Sequence, residues 1–310
     1  MVRSAHECHE KARTFLYRNA RPLDLARWQY HFEGGSKDAV LTALKCYQNR
    51  DGGFGHALEP DAWNPYSSPI QTWIAMEILR ETDFTDSTHP VIQGILRYLE
   101  SGQDFNGHFW FNTVKTNNDY PHAPWWHTGS TSTSHHNYNP TACLAGFILR
   151  FAQQDSRLYG LGKRIAGEAF DTYMNGELLD DMHTAKCFIR LKQYAQEAES
   201  KDVFDIAALQ DKLLRQVHYN ITQDNEQWDT GYICKPSQFF NDRASEYYEG
   251  NSEIAEYESA FILRTQLEDG SWAVPWGWAD YPEAWVLSKN WWKADIIIKN
   301  LLYLKGFGKL

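Results

Sequence analysis

A seven-residue turn, repeated along the chain, limits its possible folds more than any other feature. Residues 48–54 read Gln-Asn-Arg-Asp-Gly-Gly-Phe, residues 103–109 Gln-Asp-Phe-Asn-Gly-His-Phe, and residues 266–272 Gln-Leu-Glu-Asp-Gly-Ser-Trp. All three fit Gln-x-x-[Asp/Asn]-Gly-x-[Phe/Trp] without a gap, and a shortened copy without its glycine occupies 223–228. Glycine reaches the positive φ that ends a helix and reverses the chain. The first two copies start 55 residues apart, and the 163 residues to the next are close to three such intervals. A unit of that length suits a helical hairpin with a loop.

The segments between the turns carry helical periodicity. In residues 36–48, Ser36 is the expected N-cap, with Val40, Ala43, Leu44 and Tyr47 on one face. Ser68-Pro69, His89-Pro90 and Asn139-Pro140 each place proline at a first helical position, where its missing N–H does no harm. Further helical patterns cover 181–198, 253–266 and 291–306, with Gly306 the expected residue just past the last helix. Sustained period-two alternation is nearly absent, so the expected class is all-α. A two-helix unit cannot bury its own apolar face, so neighbouring units must stack. The apolar C-terminal segment 295–307 favours closure onto the N-terminal helices over an open solenoid. The expected architecture is one α/α toroid domain over residues 1–310, with about six hairpins forming inner and outer rings.

The turns at Gln48, Gln103 and Gln266 resemble the QW repeats of the squalene-cyclase and protein-prenyltransferase superfamily. The resemblance covers roughly residues 36–305 and implies an α/α toroid in which the Gln and the aromatic tie neighbouring helices together. It also implies acid–base chemistry on an isoprenoid substrate. The superfamily's Asp-x-Asp-Asp acid, its Asp-Asp-x-x-Asp magnesium motif and its prenyltransferase zinc ligands have no counterpart here. The nearest string is Asp180-Asp181, which with His183 opens a helix and suits capping as well as chemistry.

The segments following the turns hold the candidate site. After the first come Glu59, Asp61 and Trp63; after the second, Asp119, Tyr120, His122, Trp125, Trp126 and His127; after the last, Trp276, Trp278, Asp280, Tyr281, Glu283 and Trp285. Asp-Tyr-Pro occurs twice, at 119–121 and 280–282. In a ring these segments would crown one mouth. Glu59, Asp61, Asp119, His122, Asp280 and Glu283 are the expected catalytic groups, and Trp63, Tyr120, Trp125, Trp126, Trp276 and Tyr281 the expected substrate contacts. Carboxyls and imidazoles among Trp faces acquire shifted pKa values suited to proton transfer. Those faces can stabilise a carbocation or stack on sugar rings. Each acid also has a plain structural reading as a helix cap or turn residue. His122, His127, His135 and His136 match no zinc spacing, so neither metal nor cofactor is expected.

Composition narrows the partners. Thirty basic against forty acidic residues give −10, with no basic tract, which disfavours nucleic acid and anionic membranes. The five cysteines are scattered without C-x-x-C spacing. The first residues lack an apolar signal core and no run approaches a membrane span, so a cytoplasmic location is expected. Three functions remain open: an acid–base enzyme on an isoprenoid-like apolar substrate, a carbohydrate-active hydrolase, lyase or epimerase, and a non-catalytic binding protein. The wall of the site separates the first two. Phe, Trp and Leu would point to isoprenoids, whereas Asp, Glu, Asn and Trp would point to sugars.

Overall fold

The computed structural model describes residues 4–129, 138–200, 202–229 and 231–310. Among them the chain is all-α, with eleven α-helices, five short 3₁₀ helices and no sheet. Two compact units are formed, Met1–Ala43 with Val217–Leu310, and Leu44–Gln216.

The discontinuous unit contains α1 (Ala5–Asn19), α2 (Pro22–Phe32), α10 (Ser252–Thr265) and α11 (Pro282–Gly306). Ser4 caps α1 through a reciprocal capping box with Glu7. α1 and α2 pack on α11 through Cys8, Phe15, Leu16, Leu23 and Trp28 against Ile297, Ile298, Leu301 and Leu304, all buried. Within this apolar layer the Arg27 guanidinium donates to Asp24 at 3.2 Å and to Asp295 at 2.9 Å, so the buried charges are paired. The 25-residue α11 ends at Gly306 and not before it. A Cβ on Gly306 would lie 1.9 Å from the Asn241 carbonyl oxygen, and Gly308, at φ +65°, takes the left-handed position expected of Gly306.

The continuous unit contains α4 (Pro69–Glu81), α5 (Pro90–Ser101), α6 (Thr141–Phe151), α7 (Arg157–Asn175) and α8 (Met182–Glu197). α3 (Lys37–Lys45) and α9 (Ile206–Asn220) carry the two boundaries between units. Apart from Arg150 near its end, α6 is apolar on nearly every side and accordingly buried, packed on α7 and α8. Its Cys143 lies 3.8 Å, sulfur to sulfur, from Cys187 of α8, a neighbour relation that scattered spacing conceals. Arg190 of α8 grips Glu77 of α4 with two nitrogens, Nε at 2.8 Å and Nη2 at 2.7 Å. Ser68 and Pro69 start α4, and His89 and Pro90 start α5, as the sequence predicts. α6 instead begins one residue later than expected, with Pro140 as its N-cap. Asp181 caps α8 by accepting from His183 and Thr184 N–H, the structural reading of that string.

The three repeat turns share one local geometry and differ in docking. Asp51, Asn106 and Asp269 each accept the backbone N–H two residues on, which fixes the turn. The following glycines, Gly52, Gly107 and Gly270, have φ of +98°, +103° and +90°. Gln48 donates to the carbonyls of Gly52 (2.9 Å) and Val91 (3.1 Å), and Gln266 to those of Gly270 (3.0 Å) and Cys8 (2.8 Å). A Cβ on Gly52 would sit 2.0 Å from the Gly94 oxygen, and one on Gly270 would sit 2.2 Å from the Lys11 oxygen. Each docked turn thus meets carbonyls three residues apart, in α5 and in α1. Gln103 departs from the expected tie. It is exposed and bonds its neighbour Asp104, and Gly107 has open space where a Cβ would be.

Candidate functional site

In the continuous unit, the loop after the first turn folds around a buried amide. Gln71 of α4 accepts from Leu58 N–H at 2.9 Å and donates to the Asn64 carbonyl at 3.1 Å. The backbone bridge between Phe54 and Ser68 closes the loop's base. Glu59 and Asp61 are therefore held inside it, 5% and 2% exposed, and Asp61 N–H donates to Glu59 Oε1 at 3.3 Å.

This loop pairs with the segment that follows the second turn. Trp63 N–H donates to the Pro121 carbonyl at 2.9 Å, and Ala123 N–H to the Asp61 carbonyl at 2.8 Å. Ala62 and His122 are thus bridged, so the pairing brings Glu59, Asp61, Trp63 and His122 to one place. Asparagines complete the joint. Asn64 donates to Thr116 (2.8 Å) and Asn117 (2.9 Å), Asn117 donates to the Trp126 carbonyl (3.0 Å), and Asn118 donates to the Thr128 carbonyl (2.9 Å).

Two imidazoles form a directed pair here. The Tyr120 carbonyl, 2.7 Å from His122 Nδ1, can only accept, so Nδ1 carries the proton. In neutral His122 the Nε2 lone pair then accepts from His127 Nδ1–H at 3.1 Å, with the rings stacked at 5.3 Å. This leaves Nε2 of exposed His127 as the basic end of the pair. In the same two paired segments, Tyr66 and Trp125 are 56% and 45% exposed, and Tyr66 meets Tyr120 edge-on at 6.1 Å. The Tyr66 hydroxyl pushes the Tyr120 phenol above its ordinary value. Trp63 and Trp126 are half-buried, and Asp119, which ends the 3₁₀ helix Lys115–Asp119, is exposed. His135 and His136 lie outside the described residues.

The third group of expected residues belongs to the other unit. Asp280 and Glu283 are exposed, Glu283 in the first turn of α11 where the helix dipole favours a carboxylate. Trp276 is half-buried and meets Trp292 edge-on at 5.0 Å. The two Asp-Tyr-Pro strings are not equivalent. Tyr120 is extended at φ −132°, whereas Tyr281 is left-handed at φ 54° and leads Pro282 into α11.

Sequence reasoning overlooked a carboxyl in this discontinuous unit. Glu258 on α10 is 1% exposed, and burial pushes its pKa up to about 7. Its oxygens accept from Ser237 N–H at 2.8 Å and Ser237 O–H at 2.5 Å. Tyr303 also lies within its reach and gives its only hydroxyl hydrogen to the Ala255 carbonyl at 3.0 Å. A signal existed, since Ile254, Glu258 and Ile262 are spaced four apart and the acid occupies the apolar stripe of its helix. Comparison with family models, with curated proteins and with solved structures gives no match.

Proposed function

We propose that the continuous unit carries an acid–base active site for a sugar ring, of the kind that moves a proton at a carbon beside a carbonyl or carboxylate. The observation that carries this reading is the His122–His127 pair, whose proton order leaves His127 Nε2 as an accessible base beside exposed aromatic faces. An imidazole is the side chain most often used to move a proton in general acid–base catalysis. Trp125 and Tyr66 offer flat surfaces for ring stacking, and the asparagine joint of Asn64, Asn117 and Asn118 holds the two segments in register beneath them. Epimerase or lyase chemistry is favoured over hydrolysis, because Glu59 and Asp61 are both buried and a hydrolase needs two carboxyls flanking a glycosidic bond. In this reading they support the loop, and His122 positions His127.

The test is solvent exchange. The protein is incubated in D₂O with a panel of aldoses, ketoses and uronic-acid polymers, and deuterium incorporation beside the carbonyl or carboxylate is followed by NMR. His127→Gln should lower the rate about 10²- to 10⁴-fold without unfolding the chain. Exchange in the variant at the native rate would remove His127 as the base, and no exchange with any sugar would end the proposal. The isoprenoid reading is carried by the likeness of the repeat turns, and turnover of a prenyl diphosphate with no exchange into sugars would decide for it.

A further inference from the structure

We propose that Cys143 and Cys187 are a disulfide site: when the chain folds in contact with a low-molecular-weight disulfide such as oxidised glutathione, the two sulfurs bond and staple α6 to α8. The site lies wholly in the continuous unit and is independent of the sugar reading. Cys143 is in the first turn of α6 and Cys187 in the second turn of α8. They are 44 residues apart in sequence, yet their sulfurs are 3.8 Å apart. One turn further along both helices, a Cβ on Gly146 would lie 3.0 Å from the Leu191 Cα. The missing side chain lets the two backbones nearly touch, and a disulfide demands such closeness, with Cα atoms about 4.4–6.8 Å apart. Sulfurs already in contact then need only side-chain rotation to bond.

The neighbours tolerate the bond. In the reduced protein Cys143 S–H donates to the Pro140 carbonyl at 2.9 Å, and Cys187 S–H to Asn139 Oδ1 at 3.6 Å. A disulfide removes both hydrogens and strands neither acceptor. The Pro140 carbonyl keeps the N–H groups of Cys143 (3.1 Å) and Leu144 (3.2 Å), and half-buried Asn139 is within reach of water. Thiols and disulfide are both neutral, so no charge enters the core. Burial holds the Cys143 thiol protonated well beyond its ordinary range, which withholds the reactive thiolate while the fold is closed. The bond is therefore made as the chain folds or opens locally.

The exchange balances with the named oxidant. One cysteine loses its proton, and its sulfur attacks a sulfur of oxidised glutathione. The S–S bond of the oxidant breaks, and one glutathione leaves as a thiol carrying that proton. The second cysteine then loses its proton and attacks the protein sulfur of the mixed disulfide, and the second glutathione leaves with it. Two cysteines are oxidised and one glutathione disulfide is reduced to two thiols.

The test is refolding. The reduced chain is unfolded in urea and diluted into mixed reduced and oxidised glutathione, or into reduced glutathione alone. Remaining thiols are alkylated, and the peptides are mapped by mass spectrometry without reduction. The mixed buffer should give one linked pair, Cys143 with Cys187, and leave Cys8, Cys46 and Cys234 alkylated. The linked protein should unfold at a urea midpoint higher by about 1 M, because the cross-link restrains the unfolded chain over a long loop. Exposed Cys46→Ser should keep both the link and the shift, whereas Cys143→Ala should lose both. If Cys143→Ala does not fold, the peptide map and midpoint of the native sequence decide alone. Alkylation of both Cys143 and Cys187 after oxidative refolding, a link to Cys46 in their place, or a midpoint unchanged or lowered by the link would overturn the proposal.

Discussion

Replacing Glu258 with Gln should remove a pH dependence of stability that can be worked out from its surroundings. The carboxyl is fully buried, and burial raises its pKa from 4.5 to about 7. Ser237 donates to both oxygens, and Lys235 opposes the rise through its charge, yet desolvation prevails. Asp229 acts in turn on Lys235, and Glu256 and Tyr248 act on Tyr303. Tyr303 has already given its hydrogen to Ala255, which leaves its oxygen to accept from the protonated acid. Between pH 4.5 and 7 the folded state therefore holds more protons than the unfolded chain, and stability falls as pH rises. The full loss, reached above pH 7, is about 3 kcal/mol. Glutamine keeps the shape and stays neutral, with its carbonyl accepting from Ser237 N–H and the serine hydroxyl turning to accept from the amide. Urea unfolding of both proteins at pH 5 and pH 8 measures the difference. The variant should gain about 3 kcal/mol on the native protein between those two pH values. Parallel pH profiles would refute the reasoning, because Glu258 would then be ionising as it does in the unfolded chain.

Other outcomes follow from the docked turns and the paired charges. Gly270→Ala should abolish docking of its turn, since the new methyl carbon would lie 2.2 Å from Lys11 oxygen, whereas Gly107→Ala meets open space and should cost about 1–2 kcal/mol of backbone strain, both read by thermal melting. Gln266→Ala should cost about 2 kcal/mol by removing its bonds to the Cys8 and Gly270 carbonyls, while exposed Gln103→Ala should stay within about 0.5 kcal/mol; equal losses would contradict the docking difference. Asp295 is held well below the ordinary carboxylate range, where burial works against ionisation but Lys299 and Arg27 outweigh it. Its contribution is present above pH 3.8 and is lost as pH falls through its lower folded value, so Asp295→Asn should destabilise the protein at pH 6 and flatten its acid-unfolding profile.

The helices were legible because their signals are local. Ser68-Pro69 and His89-Pro90 fix a first turn from two adjacent residues, and Asp181 reaches only its own helix. The turn motif was legible as a turn for the same reason, through the Asx bond and the positive-φ glycine. Whether a turn docks depends on which carbonyls face it, and Gln103 shows that seven matching residues do not specify that partner. The candidate site divides along the same line. Glu59, Asp61 and His122 meet because 61–63 pairs with 121–123, a bridge between residues sixty apart that no spacing rule predicts. The repeated Asp-Tyr-Pro string suggested equivalence, yet the two tyrosines adopt opposite backbone regions. Glu258 was hidden differently, since an acid in an apolar stripe reads as an interruption until Ser237 is seen beneath it.

The bond from Gln266 to the Cys8 carbonyl spans 258 residues, and it has a consequence for the newborn chain. Residues 44–216 form a compact unit of their own and leave the ribosome between the two halves of the other. At typical elongation rates of about 5–20 residues per second, the first half waits on the order of 10–30 seconds for its partner. During that interval α1 and α2 expose the apolar faces that α11 later covers, including Phe15, Leu16 and Leu23. The inserted unit can finish first, whereas the discontinuous unit cannot complete its core until α11 has emerged. Nascent chains halted before residue 282, which lack α11, should therefore be the ones that recruit chaperones, and the repeat turn at 266–272 is the first segment of the second half to grip α1.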